Sequence, residues 1–538
     1  MATETRTRLA RELLLDVLRS EGVSHIFGNP GSTELPMLTG YPEDFRYVLG
    51  LQEIVAVGMA DGFAQASGKT TVVNLHTAPG VGNAMGAIFN AQANHSPLLI
   101  TAGQQARAQI TLQANLTNRD ATRMPHPLVK WSFEPPRAED VPLALAHGAH
   151  LAGLAPRGPV FVSLPMDDWY AEVDEKDTQA AIARRVDGRA VADPEAVRAL
   201  AARLDAATNP VLVAGPDIDT AGAWDTAVAL AERQRLPVWA SPATGGVRLG
   251  FPENHPNFRG VLPPAIGPVG QTLEGHDLVL IAGSSVFPYY PHIPGPLLPE
   301  GAELVAITSD PDEAVRAPMG DAIVADVGLT LAALLEAVPE SSRQAPEPNP
   351  GPQEIPAEDP LNASTVHTAL AEAMPEDAIV VLESPSSTLA LRNQLRISRP
   401  GSYYFSAGGG LGFGLAASVG VQLAQPDRPV VCVLGEGSAQ YAITAFWSAV
   451  AYQAPVTFLV LQNSEYAILK WFAEVEQVNA APGLDLPKLN VASVAEGYGV
   501  NATRASSRDE VAGALSSALA SSQPELVEVP VAPGMSLF

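Results

Sequence analysis

VVCVLGEGSAQYAITAFWSAVAYQAPVTFLVLQN, residues 430–463, holds two apolar runs of strand character with a helix-length stretch between them. The first run closes on Gly435-Glu436-Gly437-Ser438 and the second on Gln462-Asn463. Asn463 follows Glu436 by 27 positions (463 − 436), room for one helix and a return strand, so the two strands are read as parallel neighbours. A carboxylate and an amide oxygen then emerge from adjacent strand ends, hard oxygen ligands of the kind that hold Mg²⁺ on a diphosphate. The plain structural reading of the same turn is a tight strand-to-helix corner whose carboxylate is favoured by the helix dipole.

The pattern repeats outward from this stretch. HIFGN, VVNLHTA (72–78), LLITAG (98–103) and VFVSLP (160–165) alternate with helical segments, as in a parallel sheet with crossover helices. After a charged, aperiodic stretch over 168–190, alternation resumes with VLVAGPD (211–217), LPVWASP (236–242), DLVLIAGSS (277–285) and ELVAITSDP (303–311). RQAPEPNPGPQEIPAEDP (343–360) is too Pro-rich for helix or strand and reads as an extended linker. AIVVLES and ELVEVPV complete the strands of a third unit. The chain thus reads as α/β, three doubly wound parallel-sheet domains, with bounds 1–180, 190–342 and 361–538. The first and third share a layout of strand, Gly-rich turn and helix, which suggests a ligand held between them where strand C-termini meet helix N-termini.

Composition narrows the function classes. A chain of 538 residues, 46% hydrophobic and 17% charged, can bury several cores. Its 32 Lys and Arg against 58 Asp and Glu give a net charge of −26, which repels nucleic acid and anionic lipid surfaces. The single cysteine, Cys432, excludes an internal disulfide and a multi-cysteine zinc site. Residues 1–18 have the leucine spacing of an amphipathic helix and no apolar run reaches membrane-span length, so a cytoplasmic, soluble protein is expected. His147 and His150 could share a helix face, but no carboxylate pattern beside them makes a metal site.

The Gly-acid-Gly turn followed by Asn resembles the cofactor motif of thiamine diphosphate-dependent enzymes. GNPGSTE (28–34), YPEDFRYVLGLQE (41–53), NLHTAPGVGNAMG (74–86), GSYYFSAGGGLGFG (401–414) and YAILKWF (466–472) extend the similarity from end to end. In particular they resemble the 2-keto acid decarboxylases of the benzoylformate decarboxylase type. The resemblance implies a pyrimidine-binding, a central and a diphosphate-binding domain, thiamine diphosphate and Mg²⁺ as cofactors, and a homodimer or homotetramer in which the outer domains of different subunits meet. The implied reaction is non-oxidative decarboxylation of a benzoylformate-like 2-keto acid to an aldehyde and carbon dioxide.

It also implies roles by position. Glu53 would bond a ring nitrogen of the aminopyrimidine and promote the tautomer that activates the cofactor; Ser32 would meet the substrate carboxylate and His76 would transfer protons. Gly409 would offer its carbonyl to the exocyclic amine and Leu411 would wedge the cofactor into a bent shape. Gly437, Ser438, Ser386 and Tyr466 would hold the cofactor. Glu436, Asn463 and Glu465 would hold the metal, and Leu116, Ile468, Leu469 and Phe472 would line the substrate pocket. Taken alone, Glu53 reads as a solvated helix terminus, His76 as a structural histidine and Gly408–Gly412 as a flexible turn.

Three positions depart from the family pattern. Glu436 stands where the family has Asp, and Mg²⁺ must accommodate one more methylene. Tyr290 in VFPYYPH aligns with the family's second catalytic His, with His292 two residues on. Pro385 and Ile468 replace a hydroxyl and a small side chain, which puts an aromatic substrate in question. The alternatives are a carboligase of the acetolactate synthase or benzaldehyde lyase type and, from other chemistry, a nicotinamide or flavin oxidoreductase suggested by Gly80-Val81-Gly82 and Gly410-Leu411-Gly412. The oxidoreductase lacks the acidic residue about 20 positions on that a dinucleotide ribose needs.

Overall fold

A computed structural model describes residues 7–242, 247–287, 290–352, 355 and 361–535. Three six-stranded sheets, parallel throughout, carry the fold. In the first, the strands run in spatial order Arg46–Leu49, His25–Gly28, Thr71–Leu75, Leu98–Gln104, Val160–Pro165, Ser132–Phe133. In the third they run Tyr403–Phe405, Ile379–Glu383, Val430–Gly435, Val456–Gln462, Glu525–Pro530, Asn501–Arg504. Numbered along the chain, both sheets have the order 2-1-3-4-6-5, so the shared layout read from the sequence is a shared topology. The central sheet, from Pro210–Ala214 to Asp321–Val324, has the different order 3-2-1-4-5-6.

Strands that are buried on both faces need no polar alternation. Val430–Gly435, Val456–Gln462 and Leu98–Gln104 are accordingly near-continuous apolar runs. Neighbouring strands 1 and 3 lead into crossovers on opposite faces, which opens a crevice at their C-terminal ends. In the first sheet that crevice lies between the turn after Gly28 and His76; in the third, between Ser384-Pro385-Ser386 and Glu436. The central sheet has its own reversal after Ala214 and Ala282, but there backbone meets backbone. A Cβ on Gly215 would lie 2.2 Å from the Gly283 carbonyl oxygen, so the two turns are in direct contact.

The outer domains of one chain are joined by helix Glu53–Ser67 lying on helix Phe413–Ala424. Both are apolar nearly all round and buried. Their axes approach closely because Gly420 faces the Met59 carbonyl; a Cβ there would meet that oxygen. One buried ion pair pins the central domain to the third, Arg392 with Glu253 at 2.5 Å; Asp219, held within the central domain by Arg248 at 2.8 Å, accepts the Gly401 N–H of the third at 3.0 Å. Against the first domain, His95 meets Asp310 and Glu313, with ligand-type atoms within 4.8 Å of one another.

The charged stretch over 168–190 holds more structure than its aperiodic sequence suggests. Glu172–Asp174 pairs antiparallel with Thr7–Leu9, and Asp174 accepts the Lys176 N–H at 3.0 Å to start helix Glu175–Ala183. The partner strand lies some 165 residues away, so nothing local announces it. The leucine-spaced N-terminal stretch forms helix Ala10–Ser20. Residues 343–352 form neither helix nor strand, and the Arg343 guanidinium fastens them to the central domain through the carbonyls of Leu204 and Gln234. The rest of the expected linker lies outside the described residues, apart from Ile355.

Candidate active site

His76 ends the strand Thr71–Leu75 and is the N-cap of helix Thr77–Ala93. Its Nδ1 lies 2.8 Å from Glu34 Oε2, and Glu34 is buried beneath it. That carboxylate also accepts the N–H groups of Gly31 at 2.7 Å and Gly103 at 2.9 Å and the Thr33 hydroxyl at 2.7 Å. A carboxylate so fixed holds the imidazole with Nδ1–H donating and leaves Nε2 as the atom free to exchange a proton. Ser32 is exposed on the turn between Gly31 and Glu34. Glu34, the partner of His76, is a residue that the sequence reading passed over. It lies 42 residues from His76, and its only local sign is its place in GNPGSTE.

Glu53 is the first residue of its helix and only 8% exposed, although a charged side chain at a helix start usually faces water. Asn83, from helix Thr77–Ala93, donates its Nδ2–H to Glu53 Oε2 at 3.1 Å. Oε1 faces Gly80, so this glycine of the supposed dinucleotide run makes room for the carboxylate. Glu53, His76 and Asn83 are thus drawn to one end of one helix.

In the third domain Glu436 is 2% exposed at the end of Val430–Gly435. The loop after the next strand folds its amides onto it: the Ser464 N–H donates to Glu436 Oε1 at 2.5 Å. Burial pushes the Glu436 carboxyl above the ordinary range, with the surrounding backbone N–H groups pulling the other way. Among the described residues no Lys, Arg or His forms an ion pair with it, so this buried carboxylate has room for an external positive charge. Asn463 is half-buried beside it, its Oδ1 accepting the Glu465 N–H at 3.1 Å with a lone pair to spare.

Glu465 differs from the carboxylate ligand that its place in the motif suggests. Its side chain pairs with the Lys470 ammonium and accepts the Gly534 N–H at 2.7 Å, so only its main-chain carbonyl is left for a cation. Tyr466 packs against Gly437, and Ser438 is buried in the short turn Glu436–Ala439. Ser386 accepts the Ile468 N–H on its hydroxyl at 3.2 Å and so ties the Pro385–Ser387 turn to helix Ala467–Val475.

That helix is apolar yet barely covered. Only Ala467 is buried, Ile468 and Phe472 are half-buried and Leu469 is 46% exposed. Tyr290 lays its ring on Phe472 at 4.9 Å between centroids, which brings it from the central domain to the expected pocket. Both Tyr290 (62% exposed) and His292 are exposed, and of the two only Tyr290 has a ring contact with the pocket helix among the described residues. Leu116 sits half-exposed on the loop following Arg107–Ile110. His147 and His150 serve structure: one lies tilted against the Trp131 ring at 4.6 Å between centroids, the other lies 3.2 Å from Glu21.

The Gly-rich loop is capped from below by Glu383, another residue the sequence reading missed. Its carboxylate is buried and accepts the N–H groups of Gly412, Phe413 and Gly414 at 2.8, 3.0 and 3.0 Å. Burial raises its pKa to about 8, against those three donors. A folded-state pKa above the unfolded one means that stability is full below the ordinary carboxylate range and is lost as pH rises toward 8. Glu383→Gln, which cannot ionise, is expected to flatten that loss, worth roughly 2–4 kcal/mol. Urea unfolding of both proteins between about pH 4.5 and 8 measures it; an unchanged slope in the variant would show that Glu383 does not titrate in this window.

The chain is similar to known proteins along its length. The chain matches the thiamine pyrophosphate enzyme N-terminal TPP binding domain over residues 8–124, the central domain over 197–334 and the C-terminal TPP binding domain over 386–529. It is 52% identical to a benzoylformate decarboxylase of Pseudomonas aeruginosa over 516 residues, 96% of this chain and 97% of that one. The solved thiamine diphosphate-dependent 4-hydroxybenzoylformate decarboxylase of Rhodococcus jostii superposes with a TM-score of 0.95 at 44% identity, covering 99% of this chain and 100% of that one. A putative acetolactate synthase large subunit of Mycobacterium tuberculosis is more distant, 30% identical over 97% of this chain and 98% of its own. With the two matching outer sheets, the buried Glu53 and Glu436 and these likenesses together, the chain belongs to the thiamine diphosphate-dependent 2-keto acid decarboxylases of the benzoylformate decarboxylase type.

Proposed function

We propose that the protein decarboxylates a 2-keto acid less bulky at the carbonyl than benzoylformate, releasing an aldehyde and carbon dioxide. The observation that carries the substrate reading is Ile468, held in the first turn of helix Ala467–Val475 by the bond from its N–H to Ser386. When bound, thiamine diphosphate supplies the carbon nucleophile and the electron sink for loss of carbon dioxide. Glu53 holds a proton on its carboxyl with Asn83 fixing Oε2. His76 moves a proton at Nε2 while Glu34 holds Nδ1. Ser32, exposed on the same turn, meets the substrate carboxylate, and Tyr290 and Phe472 close the apolar side. Gly409 and Leu411 place the pyrimidine end, and Ser386, Gly437, Ser438 and Tyr466 take the diphosphate end. Glu436, Asn463 and the Glu465 carbonyl hold Mg²⁺, an oxygen-only set suited to that ion. The assembly is a homodimer or a homotetramer, with Phe89 and Gly86 on the uncovered face of helix Thr77–Ala93 available for a second copy. No helix among the described residues is long and apolar enough to cross a membrane, and the buried thiol of Cys432 suits a cytoplasmic setting.

Aldehyde release over a panel of aromatic and aliphatic 2-keto acids, with thiamine diphosphate and Mg²⁺ present, tests this reading. A β-branched side chain is stiff and cannot swing away from a phenyl ring. Ile468→Ala is therefore expected to raise efficiency for benzoylformate relative to a short keto acid by about 10–100-fold, the usual worth of a small misfit in an apolar pocket. An unchanged ratio with a lowered melting temperature would mean that Ile468 is packing only. Formation of acyloin rather than aldehyde across the panel would favour the carboligase.

A further inference from the structure

The Gly-rich loop 406–412 belongs to the third domain, yet the first domain grips it. Asn90, in the last turns of helix Thr77–Ala93, is 2% exposed and binds Gly410 at both backbone groups. Its Nδ2–H donates to the Gly410 carbonyl at 2.8 Å, and its Oδ1 accepts the Gly410 N–H at 3.1 Å. A carboxamide placed in this way makes the pair of bonds that a neighbouring strand would make. One turn further on, Asn94 accepts the Ala407 N–H at 2.8 Å and donates to Asp61 at 2.9 Å. Asp61 is fully buried and also receives the Gln65 amide at 2.9 Å and the Ser96 hydroxyl. The loop therefore rests on a ladder of two asparagines anchored in the core of another domain.

The fit explains the composition of the loop. A Cβ on Gly408 would lie 2.9 Å from Asn90 Oδ1 and from Phe89, and one on Gly410 would lie 2.7 Å from Asn90 Oδ1. Gly409 between them has φ +68° and nothing within 4 Å of a Cβ position. The two outer glycines admit the asparagine; the middle one turns its peptide toward open space.

The geometry points to Asn90 as a positioning residue for the cofactor: by holding both polar groups of Gly410 it sets the direction of the Gly409 carbonyl and of Leu411. This rests on the reading that Gly409 and Leu411 contact the aminopyrimidine. Without the clamp, a run of three glycines samples many conformations, and cofactor binding must order them.

The full-length protein with Asn90→Ala, Asn90→Asp and Leu411→Ala tests it. Asn90→Asp keeps the acceptor and the shape but has no N–H for the Gly410 carbonyl. Titration with thiamine diphosphate and Mg²⁺, followed by intrinsic fluorescence, is expected to give a Kd raised about 10–100-fold in both Asn90 variants. At saturating cofactor the KM for the keto acid should stay within about twofold of wild type, which a general loss of packing would not produce. Amide hydrogen exchange of the cofactor-free wild type should show residues 406–412 protected, and the protection lost in Asn90→Ala. Wild-type cofactor affinity in folded Asn90 variants overturns the inference, as does fast exchange of the loop in the wild type, which decides the matter even where a variant fails to fold. Leu411→Ala separates the two levels: if it weakens the cofactor while the Asn90 variants do not, only the clamp fails; if it binds normally too, the reading of the loop fails.

Discussion

Glu53→Gln is expected to leave the fold and cofactor affinity largely intact and to slow proton exchange at the thiazolium carbon by about 10²–10⁴-fold, the usual worth of a general acid-base group. The side chain is buried and its Oε2 is already satisfied by Asn83, so an amide oxygen in the same place keeps that bond. What the amide lacks is a proton to give to the pyrimidine ring. A structural Glu at a helix start would lose a few tenths of a kcal/mol through the dipole and nothing in chemistry. Hydrogen–deuterium exchange at the cofactor carbon, quenched in acid and read by NMR, distinguishes the two. A wild-type exchange rate in the variant would remove Glu53 from its role.

Glu436→Ala should lower affinity for thiamine diphosphate in the presence of Mg²⁺ by about 100-fold or more. Even outer partners of a metal site are worth about 10–100-fold in metal affinity, and Glu436 is the anionic member of the proposed set. Glu436→Asp should keep most of the affinity, because the carboxylate remains and the loop from Asn463 to Glu465 can close on a shorter side chain. The variants also differ in stability: Ala leaves the Ser464 N–H without its acceptor at a cost of about 1–3 kcal/mol, whereas Asp can still receive it. Isothermal titration of the cofactor with Mg²⁺, and separately with EDTA, reads the effect. If the Ala variant binds as wild type does, the metal role of Glu436 is lost and the carboxylate is a helix-end residue.

Of the two residues, Glu436 stood out in the linear sequence for a physical reason. Parallel strands buried on both faces are written as unbroken apolar runs, and a crossover helix has a minimum length, so VVCVLG, VTFLVLQN and the 27 positions between Glu436 and Asn463 specify a βαβ unit locally. Glu53 and His76 came from the resemblance instead: taken alone they read as a solvated helix terminus and a structural histidine. The periodicity of the sequence therefore determined the three-sheet architecture, and the resemblance carried by its motifs implied the cofactor class and the expected place of the site.

What the tertiary structure decided is which polar groups satisfy one another. Glu34 reaches His76 across 42 residues, Glu383 reaches Gly412 across 29, and Asn90 reaches Gly410 across 320. Glu465, in the middle of a ligand motif, turns its carboxylate to Lys470 and Gly534, and Tyr290 rather than His292 meets Phe472. Periodicity says which face of an element is buried, but a hydrogen bond depends on two atoms within about 3 Å and in line. That distance is set by how separate elements pack, so no local pattern along the chain encodes it.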